Sequence, residues 1–339
     1  MQQKPTLALV TLAIAALALP LLADAAPPLH EHARFALGGD GGWDYLTVDA
    51  AARRMYVARA NRVMVIDADA GTLLGEVPGL DGAHGVVPVA AQASGYATSG
   101  KTGELVAFRL QDRVVTGRVH VGENPDALLW EPLSQRLLVF NGKSQDVAVV
   151  DPVALAVEQT LTLGGKPEFA VSDGAGRVYV NIEDTSELVV LAVTPGKPLT
   201  VLARHPLAPC QEPTGLALGP HGKRLLVGCS NRTAVVVDAH SGKVLQHFTT
   251  GAGVDAAAWD LTRGRAYVSA REGILTVLQD RHGALAALAD VKTVLGSRTL
   301  AVDAKSGAVY LPAAEFTTSQ PPARPQVLPG SFLVLVLAP

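Results

Sequence analysis

The sequence predicts an all-β fold, a seven-bladed β-propeller of four-stranded blades, and three observations carry that expectation. A unit of four short runs rich in Val and Leu recurs along the chain. The position that opens the unit recurs seven times, at intervals of about 40 to 46 residues. A strand-like run left over near the N-terminus matches a strand missing from the last unit.

One unit shows the pattern. Pro125-Asp126-Ala127-Leu128-Leu129-Trp130 is followed by the turn Glu131-Pro132-Leu133-Ser134 and by Arg136-Leu137-Leu138-Val139-Phe140. Val147-Ala148-Val149-Val150-Asp151 makes a third run, and residues 158–163 make a fourth before Gly164-Gly165. Such short β-branched runs, broken by Gly and Pro within one helical length, make helix the poorer alternative. The opening anchor falls at Asp44, His84, Asp126, Glu168, Thr214, Asp255 and Thr299. Seven anchors at that period predict seven blades.

The ends supply a separate check. The seventh unit contains Arg298-Thr299-Leu300-Ala301-Val302-Asp303, then Ala308-Val309-Tyr310-Leu311, then a third run over residues 331–337, and no fourth. Ala33-Arg34-Phe35-Ala36-Leu37 is an unmatched run before the first anchor. Pairing the two ends removes two open sheet edges, so the N-terminal run is expected to clasp the ring. The Pro-rich residues 320–330 are expected to form a long loop of that blade rather than a domain linker.

The predicted organisation is a signal peptide over residues 1–25, a short linker over 26–31 and the propeller over 32–339. Lys4 supplies a positive start, residues 6–22 are almost wholly apolar, and Ala23-Asp24-Ala25 is a small-x-small cleavage site. Export to the periplasm or outside the cell is therefore expected, with no membrane anchor after cleavage. The chain of 339 residues is 48% hydrophobic but only 5% aromatic, so its core rests on Val, Leu and Ala. The formal net charge of −3 and the lack of a Lys/Arg run argue against a nucleic-acid partner. A monomer is expected, with a small molecule or a protein loop as partner and no cofactor assigned.

Arg54-Met55-Tyr56-Val57-Ala58, Arg177-Val178-Tyr179-Val180-Asn181 and Arg265-Ala266-Tyr267-Val268-Ser269 resemble the Tyr-Val-Thr-Asn repeat of bacterial propellers. On these segments the chain resembles the YncE-like, YVTN-repeat family, although no unit carries the four letters intact. The resemblance implies the propeller fold and export. It implies no particular reaction.

In a propeller the inner strands surround a central channel, and loops entering them share one mouth with the loops between second and third strands. The expected ligand-binding residues there are Trp43, Asp44, His84, Asp126, Glu168, Glu183, Asp255, Arg271 and Arg298. Trp43 has a second reading as packing between blades. The repeated carboxylates also suggest an ion, calcium with oxygen donors alone or a transition metal once His84 joins. A wide ring would let only neighbouring blades share it, making Asp44 with His84, or Asp126 with Glu168, the candidate pairs. Hydrogen bonding of loop amides by the same side chains is the plainer alternative.

Two function classes follow. One is a binding module with its ligand at the mouth. The other is a metal-assisted lyase or lactone hydrolase, with His84 and Glu183 or Glu272 as acid–base pair. Cys210 and Cys229 stand on antiparallel segments joined through Gly219-Pro220-His221-Gly222, and a structural disulfide is expected between them.

Overall fold

A computed structural model of the chain describes residues 29–317 and 326–339. The expected signal segment and residues 318–325 of the Pro-rich loop lie outside the described residues. Seven antiparallel sheets are present. Six of them begin with the inner strands Trp43–Asp49, Ala83–Val89, Pro125–Glu131, Pro167–Ser172, Pro213–Leu218 and Val254–Asp260, and these define blades 1 to 6. Blade 7 begins with Ala301–Val302. Among the described residues the only helical pieces are two single 3-10 turns, Ala90–Gln92 and Pro220–Gly222.

The ring closes as the ends of the sequence require. His30–Ala36 pairs antiparallel with Leu333–Ala338 as the outermost strand of blade 7, placing Phe35 opposite Val334. This strand begins earlier than expected: His30 and Glu31, assigned to the linker, are already in it. Two blades depart from the regular pattern. The inner strand of blade 7 keeps only two ladder residues. In blade 6 the outer strand is split, with Ala284–Ala287 and Val291–Lys292 both pairing with Ile274–Arg281.

Burial follows strand position. Second and third strands such as Arg136–Asn141 and Asp146–Asp151 are buried along most of their length, because each sheet face meets a neighbouring blade. Outer strands such as Val244–Thr249 alternate between half-buried and exposed residues, with one face to solvent. The core therefore lies between blades. Tyr56, Val63 and Val65 of blade 1, for example, pack with Val86, Val106 and Phe108 of blade 2.

Cys210 and Cys229 form a disulfide with Cα atoms 5.6 Å apart, buried in the hydrophobic cluster between blades 4 and 5. Cys229 ends the strand Arg224–Cys229 and faces Pro213 across the sheet, so the link ties the loop entering blade 5 to its second strand. A closed loop of this length stabilises by about 3 kcal/mol. Replacing both cysteines by serine is expected to lower the melting temperature by roughly 4–6 °C. Thiol titration of the denatured, unreduced chain should find no free thiol, and two free thiols would contradict the link.

Candidate functional site at the channel mouth

A backbone irregularity places the anchor residues. In each of blades 1 to 5 the inner strand carries a β-bulge in which two residues oppose one on the second strand. Asp44 and Tyr45, lying between the pairs Trp43–Arg59 and Leu46–Val57, are one example. The bulged residues are the anchor and its successor in every case, and blade 6 shifts register at Asp255. A bulge increases local twist and re-aims side chains. Here it occurs at the same place in each strand.

The anchors are then pinned by the preceding blade. Thr299 Oγ1 donates to the carbonyl of Asp44 at 3.0 Å, and Thr98 Oγ1 to that of Asp126 at 2.9 Å. Asn181 Nδ2 donates to Thr214 O and Gly215 O, and Ser269 Oγ to Arg298 O. These buried donors satisfy carbonyls that the bulges free from the ladder.

The side chains form an ionic belt across six blades. Arg298, at the entry to blade 7, pairs with Asp255 of blade 6 and lies 3.6 Å from Asp44 of blade 1. Its Nη2 also donates to Trp43 O at 2.9 Å. His84 Nδ1 is 2.5 Å from Asp44 Oδ2 and 3.8 Å from Asp126 Oδ1. Lys166 continues the belt on blade 4, pairing with Glu183 and lying 3.4 Å from Glu168. Gly100 makes room for the imidazole, since a Cβ there would stand 2.8 Å from Cδ2 and Nε2 of His84.

The floor is aromatic. Tyr45 of blade 1 and Phe169 of blade 4 follow their anchors and meet edge to face across the axis, with centroids 5.1 Å apart. The equivalent positions are Gly85, Ala127, Gly215, Ala256 and Leu300, mostly too small to reach the axis. Tyr45 and Phe169 also line a small cavity of about 80 Å³ in the channel. The mouth is thus a bowl rather than an open pore.

Burial and mutual repulsion make the bowl retain protons. Burial, followed by the charge of Asp44, pushes Asp126 up to about 7 although His84 and Lys166 oppose it. Burial and then Asp126 push Glu168 up to about 9 against the pull of Lys166. Asp255 is raised to about 6, again mainly by burial, with Arg298 opposing. For His84, burial disfavours the imidazolium, but the hydrogen bond with Asp44 and the charges of Asp126 and Asp44 outweigh it and raise the pKa. Burial and the four carboxylates Glu168, Asp126, Asp255 and Asp44 together hold the Tyr45 hydroxyl well above the usual phenol range.

The expected site residues therefore separate into groups. Asp44, His84, Asp126, Asp255 and Arg298 form one connected network, with Glu168 beside it. Trp43 does not present its ring to the bowl centre. It packs against Phe332 and Phe316, centroids 5.6 and 6.2 Å away, because its side chain alternates away from that of Asp44. Its edge lines a cleft of about 240 Å³ beside the mouth, together with Arg271, Arg298, Phe316 and Val327. Glu183 is held by Lys166, and Glu272 by Arg232 and the amide of Ala252. Both expected acid–base partners of His84 are thus engaged elsewhere, and the imidazole hydrogen-bonds Asp44 instead.

The expected pairing of Asp44 with His84 on neighbouring blades is extended by a third residue. Asp44, His84 and Asp126, on three consecutive blades, offer ligand atoms within 4.8 Å of one another. Tyr45 and Phe169 went unrecognised as site residues. The available signal was two large aromatics directly after anchors where most other blades have Gly or Ala.

No family model matches the chain, and no curated protein matches it. Solved structures do. The crystal structure of the RRP9 WD40 repeats superposes with a TM-score of 0.74 at 10% identity, covering 91% of this chain and all of that one. A functionally unknown protein from Desulfotomaculum acetoxidans gives a TM-score of 0.64 at 12% identity, covering 78% and 87% of the two chains. What is shared is the propeller fold.

Proposed function

We propose that the chain is an exported binding propeller of the YVTN-repeat kind and that the ligand at its mouth is a cation. One observation carries the reading. Asp44, Asp126, Glu168 and Asp255 converge over a closed floor, while Arg298 and Lys166 are each already shared between two carboxylates. A cation entering this bowl relieves repulsion that the protein's own side chains leave uncompensated. The disulfide supports the export part of the reading. No helix among the described residues is long and apolar enough to cross a membrane.

Calorimetric titration with divalent metal ions, a short alkyl diammonium and matched dicarboxylates tests the proposal. Cations should bind, dicarboxylates should not, and Glu168→Gln with Asp255→Asn should weaken cation binding about tenfold or more. Binding of the anions alone, or no response to the double substitution, would overturn it. The enzymatic alternative now rests on the Asp44–His84 pair, and turnover of a lactone panel with added divalent ions is its requirement.

A further inference from the structure

We infer that the Asp44–His84–Asp126 corner of the bowl is a site for a first-row divalent transition-metal ion. The inference rests on the cation reading of the mouth and narrows it to one ligand class and three residues. The donor set decides the class. Two carboxylate oxygens and one imidazole nitrogen suit Zn²⁺ or Mn²⁺ better than Ca²⁺, which favours oxygen alone. The Nδ1 edge of His84 is turned toward both carboxylates, at 2.5 and 3.8 Å, and the three residues offer ligand atoms within 4.8 Å of one another. An ion entering here therefore takes the place of the proton between His84 and Asp44, releases it to solvent and spreads that pair.

The backbone of the corner is also fixed in advance of any ion. The backbones of Asp44 and Asp126 are pinned through their carbonyls by Thr299 and Thr98, and Gly100 leaves the space that the His84 ring fills. Preorganisation of this kind lowers the cost of gathering like-charged ligands.

Two buried groups point independently to a missing partner. Tyr45 is only 7% exposed, yet its hydroxyl makes no hydrogen bond among the described residues, although it lies within the field of Asp44 and Asp126. That hydroxyl keeps some contact with the interior of the bowl, where a hydrated ion would give it a partner. Asp126 is 9% exposed and its carboxylate accepts no hydrogen bond among the described residues, its nearest cationic group being His84 at 3.8 Å. A carboxylate so placed ordinarily collects several donors.

The test uses the purified full-length chain, stripped with chelator and dialysed against ZnCl₂, MnCl₂ or CaCl₂ alone, with bound metal read by elemental analysis. One Zn²⁺ or Mn²⁺ per chain is expected, bound at least about tenfold more tightly than Ca²⁺. His84→Ala and Asp126→Asn should each weaken binding about tenfold or more, while Glu272→Gln on the rim should not. His84→Asn, checked by its melting curve, serves if the alanine variant does not fold. Unchanged uptake in the His84 variants would place the ion elsewhere, for instance on the exposed His30 and His32 of the clasp strand, and would overturn the assignment. If metals fail to bind but the alkyl diammonium does, the metal inference falls and the cation reading stands. If no cation binds, both fall.

Discussion

Replacing Arg298 by methionine is expected to cost about 3 kcal/mol of folding stability near pH 8, more than an ordinary surface ion pair contributes. Arg298 is three-quarters buried and compensates Asp255 and Asp44 at once while capping the carbonyl of Trp43. Removing it leaves two buried carboxylates facing each other without their shared cation. Methionine fills a similar volume, so the loss reports charge and hydrogen bonding rather than a cavity. Two further measurements separate this from a general packing defect. The cost should shrink toward pH 5, where Asp255 can take up a proton instead of standing charged and unpaired. It should also shrink in the Asp255→Asn background, giving a coupling energy in a double-mutant cycle read by urea unfolding. A loss equal at pH 5 and pH 8, and additive with Asp255→Asn, would remove the belt as an energetic unit.

The metal-free protein should lose stability as pH rises from 5 to 9, by an amount on the order of 5 kcal/mol. Glu168 and Asp255 have folded pKa values raised to about 9 and about 6, above their ordinary range. The folded state therefore binds more protons than the unfolded chain once pH exceeds the ordinary carboxylate pKa. The stability is fully present below that point and is lost progressively as pH climbs through about 6 and then about 9. Carboxylates lowered in the folded state, such as Asp238 and Asp303, act oppositely and set the decline on the acid side. Urea unfolding at pH 5, 7 and 9 in the presence of chelator measures the slope. Glu168→Gln with Asp255→Asn should remove more than half of it, because amides do not titrate, leaving the part contributed by Asp126, which is raised to about 7. A stability that increases between pH 5 and 9 would mean that the bowl does not store protons.

The blade repeat was legible because it is written locally. Alternating apolar runs, turn residues and the recurring anchor report strand periodicity, and the leftover run at residues 33–37 matched the strand missing at the other end. The disulfide was legible for a similar reason: two adjacent strands and one short turn determine which residues of a hairpin come side by side. The site was legible only as a column of anchor positions. Its actual partners were misjudged where they depended on distances across the ring. Glu183 went to Lys166 rather than His84, while Trp43 took the packing place beside Phe332 that its position at the head of an inner strand had offered as a second reading.

The amino-acid order alone determined seven repeats, a closing strand, a crosslinked blade and a recurring column of anchor positions. Tertiary structure decided what the mouth is. The bulges exist only once two strands pair, Tyr45 meets Phe169 only when blades 1 and 4 face each other, and Arg298 reaches Trp43 across 255 residues of chain. The physical reason is that side-chain periodicity is a property of neighbouring residues, whereas charge compensation depends on which groups ring closure brings together. In this chain it assembles more carboxylates than the arginine and lysine among them can neutralise.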